Sequence, residues 1–233
     1  LLGGAGPQSF SLLAKDVGEV LNLDPLAGDW RRVIGKQHLQ QGGHCVPFNR
    51  GKKSIALDFK KPEWLFIARK LASEADVILE NYRPGVMARF GLDYPSVTKD
   101  NPSVVYLSIT GFGQEGPNAN LPATDSVMQA YSGLMSVTRD SDGMPMRVGL
   151  LAIDISTGLY AFQAVAPALY RKALTGRAEI LQRSVREASA AMAAHIDGLV
   201  RRVSQRLSHT GTYGAAGRVE SGTPVVSGLD GSL

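Results

Sequence analysis

The sequence predicts an α/β fold in which mainly parallel strands are flanked by helices. Short apolar runs recur along the first half of the chain, helical patterns separate them, and glycine-bearing loops follow them. That alternation points to a parallel sheet, because parallel neighbours need a crossover connection that is usually a helix.

Residues 19–24 alternate apolar and polar, as a half-buried strand does, and residues 53–59 do so more clearly. Lys61-Pro62-Glu63 opens a helix with proline in its first turn. It runs to about Ala75 with Leu65, Ala68, Leu71 and Ala72 on one face. Residues 76–80 and 104–109 read as buried strands, and residues 96–99 as a short helix between them. These strands are expected to share one mainly parallel sheet. A long helix rich in small residues follows over 155–174. After Gly176 the pattern weakens: residues 184–206 are helix-like and rich in Ala and Arg, and from Ser208 the chain is rich in Gly, Ser and Thr with no clear period. The expected division is a large domain over 1–183, a long linker helix over 184–207 and the start of a second, smaller domain over 208–233.

A chain of 233 residues with 44% hydrophobic and 20% charged residues can bury a sizeable core. Its net charge of +4 suits an anionic small molecule but is too small for a nucleic-acid partner. Cys45 is the only cysteine, so no intrachain disulfide can form, which fits a reducing, cytoplasmic setting. No apolar run is long enough for a transmembrane helix. The start, Leu1 to Pro7, lacks the charged region of a signal peptide and reads as a chain missing its beginning. His38, His44 and Cys45 lack the spacing of a zinc site, so no metal is expected. His195, Trp30 and Trp64 read as packing or surface residues.

Ligands of open α/β sheets gather at the carboxyl ends of the strands. The informative loops are therefore Asn81-Tyr82-Arg83-Pro84-Gly85, Gly111-Phe112-Gly113-Gln114-Glu115-Gly116-Pro117, and the segment from Arg147 to Asp154. Neither glycine-bearing loop matches a standard nucleotide fingerprint. Asp154 stands where an apolar run feeds a helix. The orphan N–H groups and positive dipole end of that helix favour an ionised carboxylate. Such a group can act as a nucleophile toward an activated acyl carbon. The commoner use of aspartate there is as the helix N-cap, and the segment by itself leaves both open.

These loops, with Ala5-Gly6-Pro7, the run from Asn49 to Asp58, Asn101-Pro102, Ser132-Gly133-Leu134-Met135 and the run from Arg147 to Gly158, resemble the class III CoA-transferase family, the CaiB/BaiF or formyl-CoA transferase group. Any one segment is a weak signal; together, in this order, they are specific. The resemblance implies a Rossmann-like fold and a dimeric enzyme that moves CoA from an acyl-CoA to a small carboxylic acid. It implies no permanently bound cofactor; coenzyme A enters as substrate. Asp154 matches the family's catalytic aspartate, which becomes acylated, with backbone N–H groups nearby expected to stabilise the oxyanions. Arg32 matches an arginine that meets the CoA phosphates, and Arg89 a further one. Leu57 and Lys60 match a strand end that holds the nucleotide portion. Asn81, Tyr82 and Arg83 match the loop bordering the pantetheine arm, and Thr124 and Asp125 a segment lining the same cleft.

The chain also departs from the family. Gly4 stands where formyl-CoA members have a glutamine, and Glu179, Gln182, Arg183 and Arg186 interrupt a strand that is usually more apolar. Family members are longer, with a glycine-rich loop over the site and a C-terminal part that completes the large domain. Two other readings stand beside the transferase. An α-methylacyl-CoA racemase shares the fold but needs a histidine before Asp125, where this chain has Thr124. A non-catalytic CoA-binding fragment is the reading from a different class.

Overall fold

The computed structural model describes residues 5–16, 18–28, 32, 37–38, 41–42, 45–177 and 179–184. The chain begins with α1 (Ala5–Asp16) and β1 (Leu21–Asp24), then a short antiparallel pair, β2 (Gln37–His38) and β3 (Gln41–Gly42). It continues through α2 (Cys45–Asn49), β4 (Lys53–Ala56), α3 (Pro62–Glu74), β5 (Val77–Glu80), α4 (Val86–Phe90) and α5 (Tyr94–Val97). After β6 (Val105–Thr110) come α6 (Asp125–Tyr131), α7 (Leu134–Val137), α8 (Ala152–Thr175) and β7 (Glu179–Ser184).

The α/β fold with parallel strands flanked by helices is borne out. Its strands divide differently from the expected single sheet. β1 pairs with β4 in one parallel ladder, and β5, β6 and β7 form another with β6 in the centre. Among the described residues no ladder joins the two. Side chains do so instead: Leu23 of β1 and Ile55 of β4 pack into the same core as Tyr106 of β6.

β6 is the axis of the molecule because all of it is buried. Its side chains alternate between faces, as a strand's must. Val105, Leu107 and Ile109 enter a core with Leu13 of α1, Met128 of α6 and Ile153, Ala161 and Val165 of α8. Tyr106, with Val104 just before the strand, enters a second core with Ala68 and Ala72 of α3, Leu92 and Val97. Helices therefore cover both faces, the arrangement a parallel sheet requires. Proline starts α3 as expected, and the Asn101 amide donates to the carbonyls of Ala72 and Ala75, satisfying acceptors that the end of α3 leaves open.

β7 forms despite Glu179, Gln182 and Arg183, with Leu181 buried. Residues 185–233, which hold most of the expected linker helix and the whole expected small-domain segment, lie outside the described residues, as do Gly4, Trp30, His44 and His195. The direction of α8 shows at its far end, where the Lys172 ammonium meets the Asp76 carboxylate just before β5 at 2.7 Å. The helix thus ends near where β5 begins, and its N-terminus lies toward the carboxyl ends of the strands.

The loop leaving β6 is held close at Gly111, where an added Cβ would lie 2.4 Å from the Ala123 Cβ. Gly111→Ala should cost about 1–3 kcal/mol by overpacking. Adding Ala123→Gly should recover most of that loss, and urea denaturation of the single and double variants checks both effects.

Candidate active site

Two groups of polar residues collect at the carboxyl ends of the strands. The first is built on β1 and β5. The Arg32 guanidinium meets the Asp24 carboxylate at 3.4 Å, and the Ser54 hydroxyl donates to the same oxygen at 2.6 Å. Arg32 Nε is buried with no acceptor among the described residues. Burial, then the charges of Glu80 and Asp24, raise the pKa of the Tyr82 phenol, so Tyr82 stays protonated and stands near the end of β1. An added Cβ on Gly6 would lie 3.3 Å from the Asn81 side chain, so the start of α1 approaches the same loop. Arg32, Asn81 and Tyr82 are thereby brought to one neighbourhood.

Beneath them lies a polar network that sequence reasoning missed. Glu80, the last residue of β5, is buried, accepts the Ser108 hydroxyl on one carboxylate oxygen and accepts the Tyr82 N–H at 2.8 Å on the other. Ser108 in turn accepts the Gln114 amide. One buried carboxylate therefore touches the 81–85 loop directly and the 111–117 loop through Ser108. Its only signal in the sequence is an acid closing an apolar run.

The second group surrounds the start of α8. Asp154 is 4% exposed and lies in the first turn of the helix, not at its cap; the cap position is Leu151, whose side chain makes no capping bond. The N-cap reading of Asp154 is thus corrected, because the helix begins at Ala152, earlier than the apolar pattern suggested. Asp125, from the start of α6, supplies the cap. Its Oδ2 accepts the N–H of Ile153 at 2.9 Å and that of Asp154 at 3.0 Å. The Ala152 N–H donates to Leu150 and the Ile155 N–H to Leu151. The backbone donors beside Asp154 that were expected to hold an oxyanion are therefore already engaged.

The remaining expected site residues are placed as follows. Leu57 is buried in the second core, and its N–H extends the β1–β4 ladder to the Asp24 carbonyl at 2.8 Å. Asp125 is 5% exposed, with its carboxylate on the start of α8. Thr124 is the N-cap of α6, its hydroxyl accepting the Val127 N–H. Lys60, Arg83 and Arg89 are exposed. Arg89 lies in the last turn of α4. Cys45 is buried and free, and no group of metal-ligating side chains occurs among the described residues. No helix among them is long and apolar enough to cross a membrane.

The signature of CoA-transferase family III matches residues 2–209. The chain belongs to this family. It is 35% identical over 199 residues to a succinate–glutarate CoA-transferase of Agrobacterium fabrum, covering 82% of this chain and 50% of that protein. It is 36% identical over 192 residues to an acetyl-CoA:oxalate CoA-transferase of Acetobacter aceti, covering 82% of this chain and 49% of that one. Among solved structures, a CaiB/BaiF family protein of Brucella suis superposes with a TM-score of 0.77 at 31% identity, over 90% of this chain and 55% of that one. The chain spans about half the length of the curated relatives it matches.

Burial raises the Glu80 carboxyl above its ordinary value, against the lowering effect of the Ser108 and Tyr82 bonds. The native state then holds this proton more tightly than the unfolded chain. The resulting stability is complete below the ordinary glutamate value of about 4.3 and is lost as pH rises through the raised native value. Urea denaturation across that window should show the wild type losing stability relative to Glu80→Gln as pH rises. The opposite slope would mean that the hydrogen bonds outweigh burial.

Proposed function

We propose that the protein transfers CoA from an acyl-CoA to a free carboxylic acid, with Asp154 as the covalent nucleophile. The observation that carries this reading is the placement of Asp154. It is a buried carboxylate in the first turn of a long helix, at the carboxyl end of a parallel sheet, on a residue whose backbone N–H is tied to Asp125. Family membership supplies the class of chemistry. The acceptor class to try first is a short dicarboxylic acid, since relatives are named for succinate, glutarate and oxalate.

The steps balance without an external proton or electron. The Asp154 carboxylate attacks the thioester carbonyl and expels CoA thiolate, leaving a mixed anhydride. The thiolate attacks the aspartyl carbonyl, freeing the donor acid and forming an aspartyl-CoA thioester. The acceptor carboxylate attacks that thioester to form a new anhydride and thiolate again. The thiolate then attacks the acceptor acyl carbon, giving the new acyl-CoA and restoring Asp154.

Arg32, partly paired to Asp24 and with a buried Nε donor to spare, is suited to a phosphate, and the exposed Arg89 is a second candidate. Asn81 and Tyr82 offer an amide and an apolar ring to the pantetheine arm. Lys60 and Arg83 remain candidates for the nucleotide end. Thr124 carries a capping hydroxyl where a racemase needs an acid–base imidazole, which favours transfer over racemisation. A cytoplasmic homodimer is part of the same reading, and sedimentation of the whole protein tests its assembly.

Incubation of the whole protein with acyl-CoA, hydroxylamine trapping and peptide mapping should find the adduct on Asp154. Asp154→Asn should lower exchange by roughly three orders of magnitude or more. An adduct elsewhere, or full activity in Asp154→Asn, would sink the mechanism. A wild type that binds CoA but never becomes acylated would favour a non-catalytic CoA-binding fragment. In calorimetry, Arg32→Ala and Arg89→Ala should each weaken CoA binding by about tenfold or more, the worth of a charge-assisted hydrogen bond.

A further inference from the structure

The buried pair Asp125 and Gln129 has no assigned part in the chemistry above, yet it touches every segment that delivers Asp154. Asp125 Oδ2 accepts the N–H groups of Ile153 and Asp154, and its Oδ1 accepts the Gln129 amide. Gln129 is fully buried. Its Oε1 accepts the Val148 N–H at 2.9 Å, and its Nε2 also reaches the Leu150 carbonyl at 3.3 Å. The pair therefore grips both the chain entering α8 and the first turn of the helix. The donors and acceptors match in one orientation only. If the Gln129 amide flipped, its NH2 would face the Val148 N–H and its oxygen would face a carboxylate.

We propose that Asp125 and Gln129 are positioning residues that aim the Asp154 carboxylate, and that Asp125 is the standing acceptor at the α8 N-terminus. The inference rests on the reading of Asp154 as nucleophile. It adds two consequences. First, the Ile153 and Asp154 N–H groups serve Asp125, so the donors that stabilise a tetrahedral oxyanion come from elsewhere than these groups. Second, Gln129 holds the Val148 N–H and the Leu150 carbonyl, so the direction of Asp154 depends on α6 as well as on α8. An aspartate that lined the cleft and touched CoA would instead act on affinity.

The test measures the rate of Asp154 acylation at saturating acyl-CoA, by quench and peptide mass, together with CoA affinity by calorimetry, in the whole protein. Asp125→Asn cannot satisfy the Ile153 and Asp154 N–H groups and the Gln129 amide together, because its own NH2 must face one of them. It should slow acylation about tenfold to a hundredfold, the cost of misaiming a reacting group by an ångström or less, with CoA affinity within about twofold. Gln129→Ala, which leaves Asp125 intact, should act in the same direction but more weakly, and it carries the test if Asp125→Asn does not fold. Asp125→Asn combined with Gln129→Glu reverses the polarity of the pair while keeping an acceptor for Val148, and should recover part of the rate. Unchanged acylation in both single variants overturns the inference. So does weakened CoA affinity with acylation at saturation intact, which would make Asp125 a ligand contact. A wild type that is not acylated on Asp154 overturns the transferase reading and this inference with it, whereas an acylated wild type with indifferent variants overturns this inference alone.

Discussion

The carboxylate of Asp125 joins α6 to α8, and through α8 it joins the layer of helices to the sheet. A helix start leaves N–H groups without acceptors, and burying them unsatisfied is costly. Here the start of α8 is buried, with Ile153 fully inside the core, and Leu151 cannot cap it. A side chain from another helix must therefore do so. That requirement holds Asp125 inward, recruits Gln129 to order its second oxygen, and fixes the 148–151 segment that delivers Asp154.

The rest of the site hangs from the same layer arrangement. Because β6 is buried on both faces, it cannot shift without disturbing two cores at once. Ser108 within it and Gly111 just after it are thus firm supports for the loops above. Glu80 is buried without a cation partner among the described residues and tolerates that position through Ser108 and the Tyr82 N–H. A buried carboxylate held this way costs stability when ionised, yet it fixes two adjoining loops with one group. The Arg32–Asp24–Ser54 cluster repeats the device at the end of the other ladder, where an acid holds a cation whose Nε has no acceptor among the described residues.

Legibility in the sequence followed the physics of burial. β5, β6 and α3 were readable because dense apolar runs and proline at a helix start are local signals. Helix α1 was not read, since glycines and serines around Pro7 obscured the spacing of Phe10, Leu13 and Ala14 that packs it against the core. The single expected sheet became two ladders because strand pairing is a non-local choice, and apolar pattern alone does not name a strand's neighbour. Asp125 and Gln129 lie one helical turn apart, a spacing visible in the chain, but the partner of Asp125 is the start of a helix, at Ile153 and Asp154, far along the chain.

The sequence by itself determined the α/β class and the family likeness, and it put forward the strand-end loops and Asp154 as candidates. These depend on local pattern and on motifs in fixed order. Only the tertiary structure decided what each carboxylate does. It set Asp154 inside the first turn rather than at the cap, placed the Asp125 carboxylate on the helix start, and buried Glu80 beneath two loops. The physical reason is that a carboxylate's role is fixed by which donors surround it. Those donors come from segments far apart in the chain, which only folding brings within hydrogen-bond reach.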